Sequence, residues 1–147
     1  MTRMVTALPV VAAVLATACG GGSGATPPLT PTGSRPNPAT RPSTPATLDI
    51  RQPTNGEVLT GAPATIHVKV KLTGARIVPA TTTHIVPTQG HLHVYLDGRI
   101  VSMNFSTNAT VGNVRAGVHR LVVEFVASDH FPFNPDVRQT VTFDVTS

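Results

Sequence analysis

At 147 residues and a formal net charge of +4, the chain has room for one domain, and its cations are scattered singly along the sequence. Five Phe, one Tyr and no Trp leave no aromatic platform among basic residues, which sets nucleic-acid binding aside. The single cysteine, Cys19, excludes an internal disulfide, a cysteine-based metal knuckle and a cysteine nucleophile in the rest of the chain, so the fold must stand on packing.

Residues 1–18 read as a signal peptide. Arg3 and the amino terminus make the positive start, and residues 5–15 are an apolar run broken only by Thr6 and Pro9, too short to span a bilayer. Ala16-Thr17-Ala18-Cys19 then resembles a lipobox, in which small residues precede a cysteine that receives a diacylglycerol before cleavage; Ala16 stands where leucine is usual. The expected mature N-terminus is a lipidated Cys19 with palmitate-type acyl chains. These hold the protein on the extracytoplasmic face of the cell membrane, because two or three chains anchor stably where one does not. Residues 20–46 are Gly-rich and then rich in Pro, Thr and Ser, with almost nothing to bury. Together with Cys19 they are expected to form a disordered tether over 19–46, with a reach of roughly 30 Å as a coil and about 80 Å as polyproline II.

From Thr47 the texture becomes short alternating runs separated by Gly, Pro and Asn, and no stretch has helical periodicity. Residues 48–52 predict a first strand. In ATIHVKVKL (64–72), Ile66, Val68, Val70 and Leu72 share one face and His67, Lys69 and Lys71 the other. GHLHVYLDGRIVSMNF (90–105) predicts a hairpin about Asp97-Gly98. Its expected register places Leu96 opposite Arg99, Val94 opposite Val101 and Leu92 opposite Met103 on the core face. On the other face Tyr95 lies opposite Ile100, His93 opposite Ser102 and His91 opposite Asn104. A short piece follows near 109–114. A strand over 118–127 turns Leu121, Val123 and Phe125 inward and Arg120 and Glu124 outward, and a closing strand over 139–145 buries Val141, Phe143 and Val145. About seven strands predict an all-β, immunoglobulin-like or fibronectin-III-like sandwich over 47–147. His119 falls where such sandwiches often carry a corner tyrosine that bonds back to upstream backbone, and its imidazole could serve the same purpose.

The segments TNGEVLTG (54–61), GHLHVYLDG (90–98), AGVHRLVVEFVASDHFPFNP (116–135) and the closing TVTFDV resemble uncharacterised bacterial lipoproteins with a single immunoglobulin-like domain. The resemblance implies fold and location and brings no biochemical role with it.

Five of the six histidines lie between His84 and His130. Side chains at i and i+2 of a strand are about 6.6 Å apart on one face, so the imidazoles of His91 and His93 can converge on one ion. In a sandwich of this type the strand starting at His91 runs antiparallel to the one ending near Ala127, which brings Asp129 and His130 towards His91. His84 and Asn104 are possible accessory groups. The set His91, His93, His130 and Asp129 suits copper or zinc. A structural use of the same residues stands beside that reading: His91 and His93 hydrogen-bond Asn104, Ser102 or loop backbone, and Asp129 and His130 cap the turn that follows. HLH with HFPFNP superficially resembles the ligand motifs of copper-zinc superoxide dismutase, but that family's disulfide and zinc-loop ligands are missing from this sequence. Neither a nucleophile elbow nor paired carboxylates support an enzyme. The expectation is a lipid-anchored, non-enzymatic immunoglobulin-like module for an unknown protein or small ligand, without a cofactor. The alternative is a copper- or zinc-binding protein whose histidine cluster lies at one end of the sandwich.

Overall fold

The computed structural model describes residues 36–147; the leader, Cys19 and most of the expected tether lie outside the described residues. A 3-10 turn at Pro38–Thr40, whose first turn is capped by the Asn37 side chain, precedes nine strands among these residues. They are β1 (Thr47–Gln52), β2 (Val58–Thr60), β3 (Ala64–Thr73), β4 (Arg76–Ile77), β5 (Gln89–Leu96), β6 (Arg99–Asn104), β7 (Asn108–Val114), β8 (Gly117–Ala127) and β9 (Pro132–Thr146). The two beyond the expected seven are β2 and β4, which are too short to show a period.

Period-two alternation builds the core. In β3, Ala64, Ile66, Val68 and Val70 are buried while His67, Lys69 and Lys71 are exposed, as the alternation requires. β1, β3 and β7 make one sheet. The second runs β2-β9-β8-β5-β4, with β6 also paired to β5. A single apolar cluster joins Ile66, Val68 and Val70 of the first sheet to Leu92, Val94, Leu121, Val123, Phe125 and Phe143 of the second. Phe125 and Phe143 are among the largest fully buried side chains, and each contributes about 2–3 kcal/mol through the area it removes from water. The closing strand begins earlier than expected: β9 includes Pro132 and Phe133, and Phe133 is buried with its ring 5.6 Å from that of Phe125.

The hairpin departs from its expected register. Asp97 and Gly98, both with positive φ, form the turn, and Leu96 pairs with Arg99 and Tyr95 with Ile100. A bulge between Val94 and Tyr95 then shifts the ladder, so that Val94 pairs with Ser102, His93 with Met103 and Leu92 with Asn104. One extra residue sends every later side chain of β6 to the opposite face. Val101 and Met103, expected in the core, are exposed. β6 tolerates this because it pairs only with β5, so no second ladder enforces its register. Asn104 fixes the result: its Nδ2 donates to the carbonyls of Ser106 (2.8 Å) and Asn108 (2.6 Å) where the chain crosses to β7 and the other sheet.

Part of the segment expected to be disordered is ordered against the sandwich. Arg41 Nη1 and Nη2 donate to the two Asp129 carboxylate oxygens at 2.6 and 2.9 Å, its Nε donates to the Pro132 carbonyl at 2.8 Å, and Nη2 also reaches the Phe131 carbonyl at 3.1 Å. The Arg41 side chain is 6% exposed. Composition shows that residues 36–46 lack a core of their own, but one bidentate buried ion pair with two further carbonyls is enough to hold such a segment.

Candidate metal centre

β5 occupies the second sheet between β8 and β6, and its residues alternate between two faces. Leu92 and Val94 enter the core, whereas His91, His93 and Tyr95 lie on the outer face beside Val126, Glu124 and Val122 of β8. That outer face is nevertheless covered at one end, since His91 is fully buried and His93 nearly so. The start of β5 approaches β8 closely because residue 90 is glycine: a Cβ there would lie 2.0 Å from the Val126 carbonyl oxygen and 2.9 Å from the Phe125 ring. The loop after β8 then folds back over the histidines, turned by His130 in the left-handed region at φ 67°. A non-glycine residue there stores strain, a feature concentrated at ligand and active sites.

The three imidazoles each turn one nitrogen to a common centre. His91 Nε2 lies 3.2 Å from His93 Nε2 and 2.9 Å from His130 Nδ1, and His93 Nε2 lies 3.3 Å from His130 Nδ1. Hydrogen bonding cannot satisfy this triangle. Each facing nitrogen of a neutral imidazole is either a donor or an acceptor, so of three mutual contacts at least one must pair like with like. Three lone pairs directed at one cation remove the conflict. Bonds of about 2.0 Å at tetrahedral angles would separate ligand nitrogens by about 3.3 Å, close to the spacing found.

The remaining ring nitrogens show how the ligands are held. With Nε2 of His91, Nε2 of His93 and Nδ1 of His130 turned to a cation at the centre, the protons would sit on the opposite nitrogens. His93 Nδ1 then faces the Tyr95 hydroxyl at 3.4 Å, Tyr95 donates to Glu124 Oε2 at 3.1 Å, and Arg138 donates to Glu124 Oε1 at 2.9 Å. His130 Nε2 faces Thr81 Oγ1 at 3.2 Å. Such outer partners fix the tautomer and orientation of metal ligands. His91 Nδ1 is buried without a hydrogen-bond partner among the described residues, so packing and not an acceptor holds that ring; Phe105 lies 5.1 Å from it.

Electrostatics favour the neutral form of His91 and His93. Burial, then the charges of His130 and His93, lower His91 to about 4 against a smaller opposing pull from Asp129. Burial and His130 also lower His93, opposed by Glu124. Both rings therefore present free lone pairs near neutral pH, the form a metal needs.

His91, His93 and His130 are thus brought together as the spacing suggested, and among the described residues they form the one group of three with metal-ligand geometry. Asp129 does not join them. Both its oxygens are engaged by Arg41 and one also accepts the Phe131 N–H, so this carboxylate holds the loop instead of an ion. Although burial opposes ionisation, the Arg41 hydrogen bond and charge hold the Asp129 carboxyl below its usual range. His84 is exposed and outside the cluster, and Asn104 is committed to the β6–β7 crossover. Glu124, expected to point into solvent, is buried beneath Tyr95 and Arg138. Nothing in the spacing of Tyr95, Glu124, Arg138 and Arg41 marked them. Only Glu124 carried a signal, a lone acid in the apolar run of β8. His93 and His130 also line a groove of about 620 Å³ that runs along the sheet past Tyr95 and Glu124 to Arg120.

Two sheets of this topology around one core settle the architecture. The fold is immunoglobulin-like. The chain is similar to the fibronectin(III)-like modules of Clostridium thermocellum CbhA, with a TM-score of 0.47 and 13% identity over 68% of this chain and 96% of that one. It is also similar to the PKD domain of human KIAA0319, with a TM-score of 0.44 and 12% identity over 78% of this chain and 92% of that one. No sequence family and no curated protein matches it.

Proposed function

We propose that this chain is a non-enzymatic, immunoglobulin-like module that binds copper or zinc through His91, His93 and His130, and that a lipid on Cys19 holds it at the extracytoplasmic face of the cell membrane. The observation that carries the metal reading is the triangle of imidazole nitrogens, each within 3.3 Å of the other two, which hydrogen bonds among neutral rings cannot satisfy. The leader, the Ala16–Cys19 sequence, the Pro/Thr-rich stretch after it and the likeness to single-domain bacterial lipoproteins support the location. A binding role is favoured over catalysis because, among the described residues, no serine hydroxyl is hydrogen-bonded to an imidazole and the buried carboxylate Glu124 is tied to Arg138 and Tyr95.

Calorimetric titration of the purified chain with Zn(II) and Cu(II), beside a His91→Ala/His93→Ala double variant, tests the metal reading. One ion per chain should bind with a dissociation constant below about micromolar, and the double variant should lose that binding. Weaker binding, or binding indifferent to the double variant, would overturn it. For the anchor, Cys19→Ser should abolish labelling by radioactive palmitate and leave the precursor uncleaved; a variant that matures normally would refute lipidation.

A further inference from the structure

Three histidines leave a fourth coordination position open, and the bulge in the β5–β6 hairpin determines which residue of β6 stands opposite His93. Without the bulge Ser102 would oppose His93. With it, Met103 takes that place in the ladder, on the same face as the histidines, and Phe105 is carried against His91. This register costs apolar burial, leaving Val101 43%, Met103 56% and Phe105 45% exposed while Ser102 and Asn104 turn to the core side. Local sequence preference alone favours the opposite arrangement, and such departures gather at functional sites.

We propose that Met103 is the fourth ligand and that the resident ion is copper(I), an inference that rests on the metal reading of the histidine triangle. Directly opposed residues of an antiparallel pair have Cβ atoms about 4.5–5.5 Å apart, and methionine's three rotatable bonds give its sulfur the reach to approach an ion held beside His93. The charges around the cluster point to the same ion. Asp129 is neutralised by Arg41 and Glu124 by Arg138, so the two carboxylates nearest the imidazoles are already paired and the ligands left are three neutral nitrogens and a thioether. That set is soft and uncharged. It suits a singly charged copper ion, whereas zinc sites draw on thiolate, imidazole and carboxylate and not on thioether. Because Met103 lies on an edge strand and is more than half exposed, it is also the ligand at which the ion arrives and departs.

The test compares the full chain with Met103→Leu, a volume-conserving change at an exposed position, and with His91→Ala/His93→Ala. Copper(I) affinity is measured without oxygen against a colorimetric copper(I) chelator, zinc(II) affinity by calorimetry, and the copper environment by X-ray absorption. Circular dichroism confirms that each variant is folded. The expected result is one copper(I) per chain with a sulfur neighbour. Met103→Leu should lose that sulfur and weaken copper(I) binding about tenfold or more while leaving zinc(II) binding unchanged. Copper(I) binding that the double histidine variant abolishes but Met103→Leu leaves intact, with no sulfur in the absorption spectrum, would overturn the role of Met103 while the histidine site stands. Equal loss of both metals in Met103→Leu would show a structural effect and overturn it too. If the unaltered chain binds neither metal, the histidine reading itself falls.

Discussion

His119 and the histidine triangle use the same side chain in opposite ways. Both nitrogens of His119 face oxygen acceptors, Nδ1 lying 2.7 Å from Asp97 Oδ2 and Nε2 2.9 Å from the Arg115 carbonyl, so the doubly protonated ring, with a donor on each nitrogen, is the form these partners favour. The second of these bonds is the back-bond to upstream backbone that a corner tyrosine makes in related sandwiches. Burial works against the charge on His119, but the hydrogen bonds to Asp97 and Arg115 and the charges of Asp97 and Asp144 outweigh it and raise the pKa above 6.5. For Asp97, burial likewise opposes ionisation, and the Arg120 N–H and His119 overcome it, placing the pKa below 3.8. His119 adds stability that is complete below pH 6.5 and is lost as pH rises through its raised value, whereas Asp97 adds stability above pH 3.8 that is lost as pH falls through its lowered value. The pair is strongest between those limits. His119→Gln should therefore cost about 0.5–1 kcal/mol in urea unfolding at pH 6, and the gap from the unaltered protein should narrow by pH 9. A gap that widens with pH would contradict the ion pair. His91 has the opposite linkage: held at about 4, it resists protonation in the folded chain, and the lone pair of its unprotonated nitrogen stays free for a metal.

Among the elements, β5 and the loop between β8 and β9 build the centre, and Arg41 braces that loop from a distant part of the chain. The guanidinium closes on residues 129, 131 and 132, on either side of His130 and just beyond it. Arg41→Ala would leave Asp129, whose side chain is 14% exposed, without its counter-ion. Removing one partner of a buried pair costs about 3 kcal/mol, and the loss should concentrate in the loop. Amide hydrogen exchange at residues 128–131 should quicken more than in β3 or β8; uniform exchange would show that Arg41 acts only on global stability. The identities and approximate limits of β1, β3, β7 and β8 were legible because period-two alternation and turn residues are local properties. The register of β6 was not. Asp97-Gly98 specified the turn and the first two pairs, but the bulge answers to Asn104 and its crossover to the other sheet, partners that lie beyond any hairpin rule.

On the scale of the whole molecule, the centre links β5 to the β8–β9 connection, so an ion bound to all three histidines would tie together parts of the sheet that unfolding separates. Ligand that binds only the folded chain adds stability by mass action, about 2.7 kcal/mol when its free concentration is 100 times the dissociation constant. Thermal unfolding of the chain should rise accordingly with the metal. His130→Ala should keep the fold and lose the response, and a response that survives in that variant would place the ion elsewhere. The sequence by itself determined an all-β sandwich and the pairing of His91 with His93, because strand alternation, turns and i, i+2 spacing depend only on neighbours in the chain. It also raised the expectation of a lipidated Cys19, which lies outside the described residues. Tertiary structure decided the rest: that His130 joins the pair while Asp129 turns to Arg41, that Glu124 is buried beneath Tyr95, and that Met103 instead of Ser102 stands opposite His93 in the ladder. Each of these depends on which distant group competes for a charge, a hydrogen bond or a place in the ladder, and chain proximity carries no record of that competition.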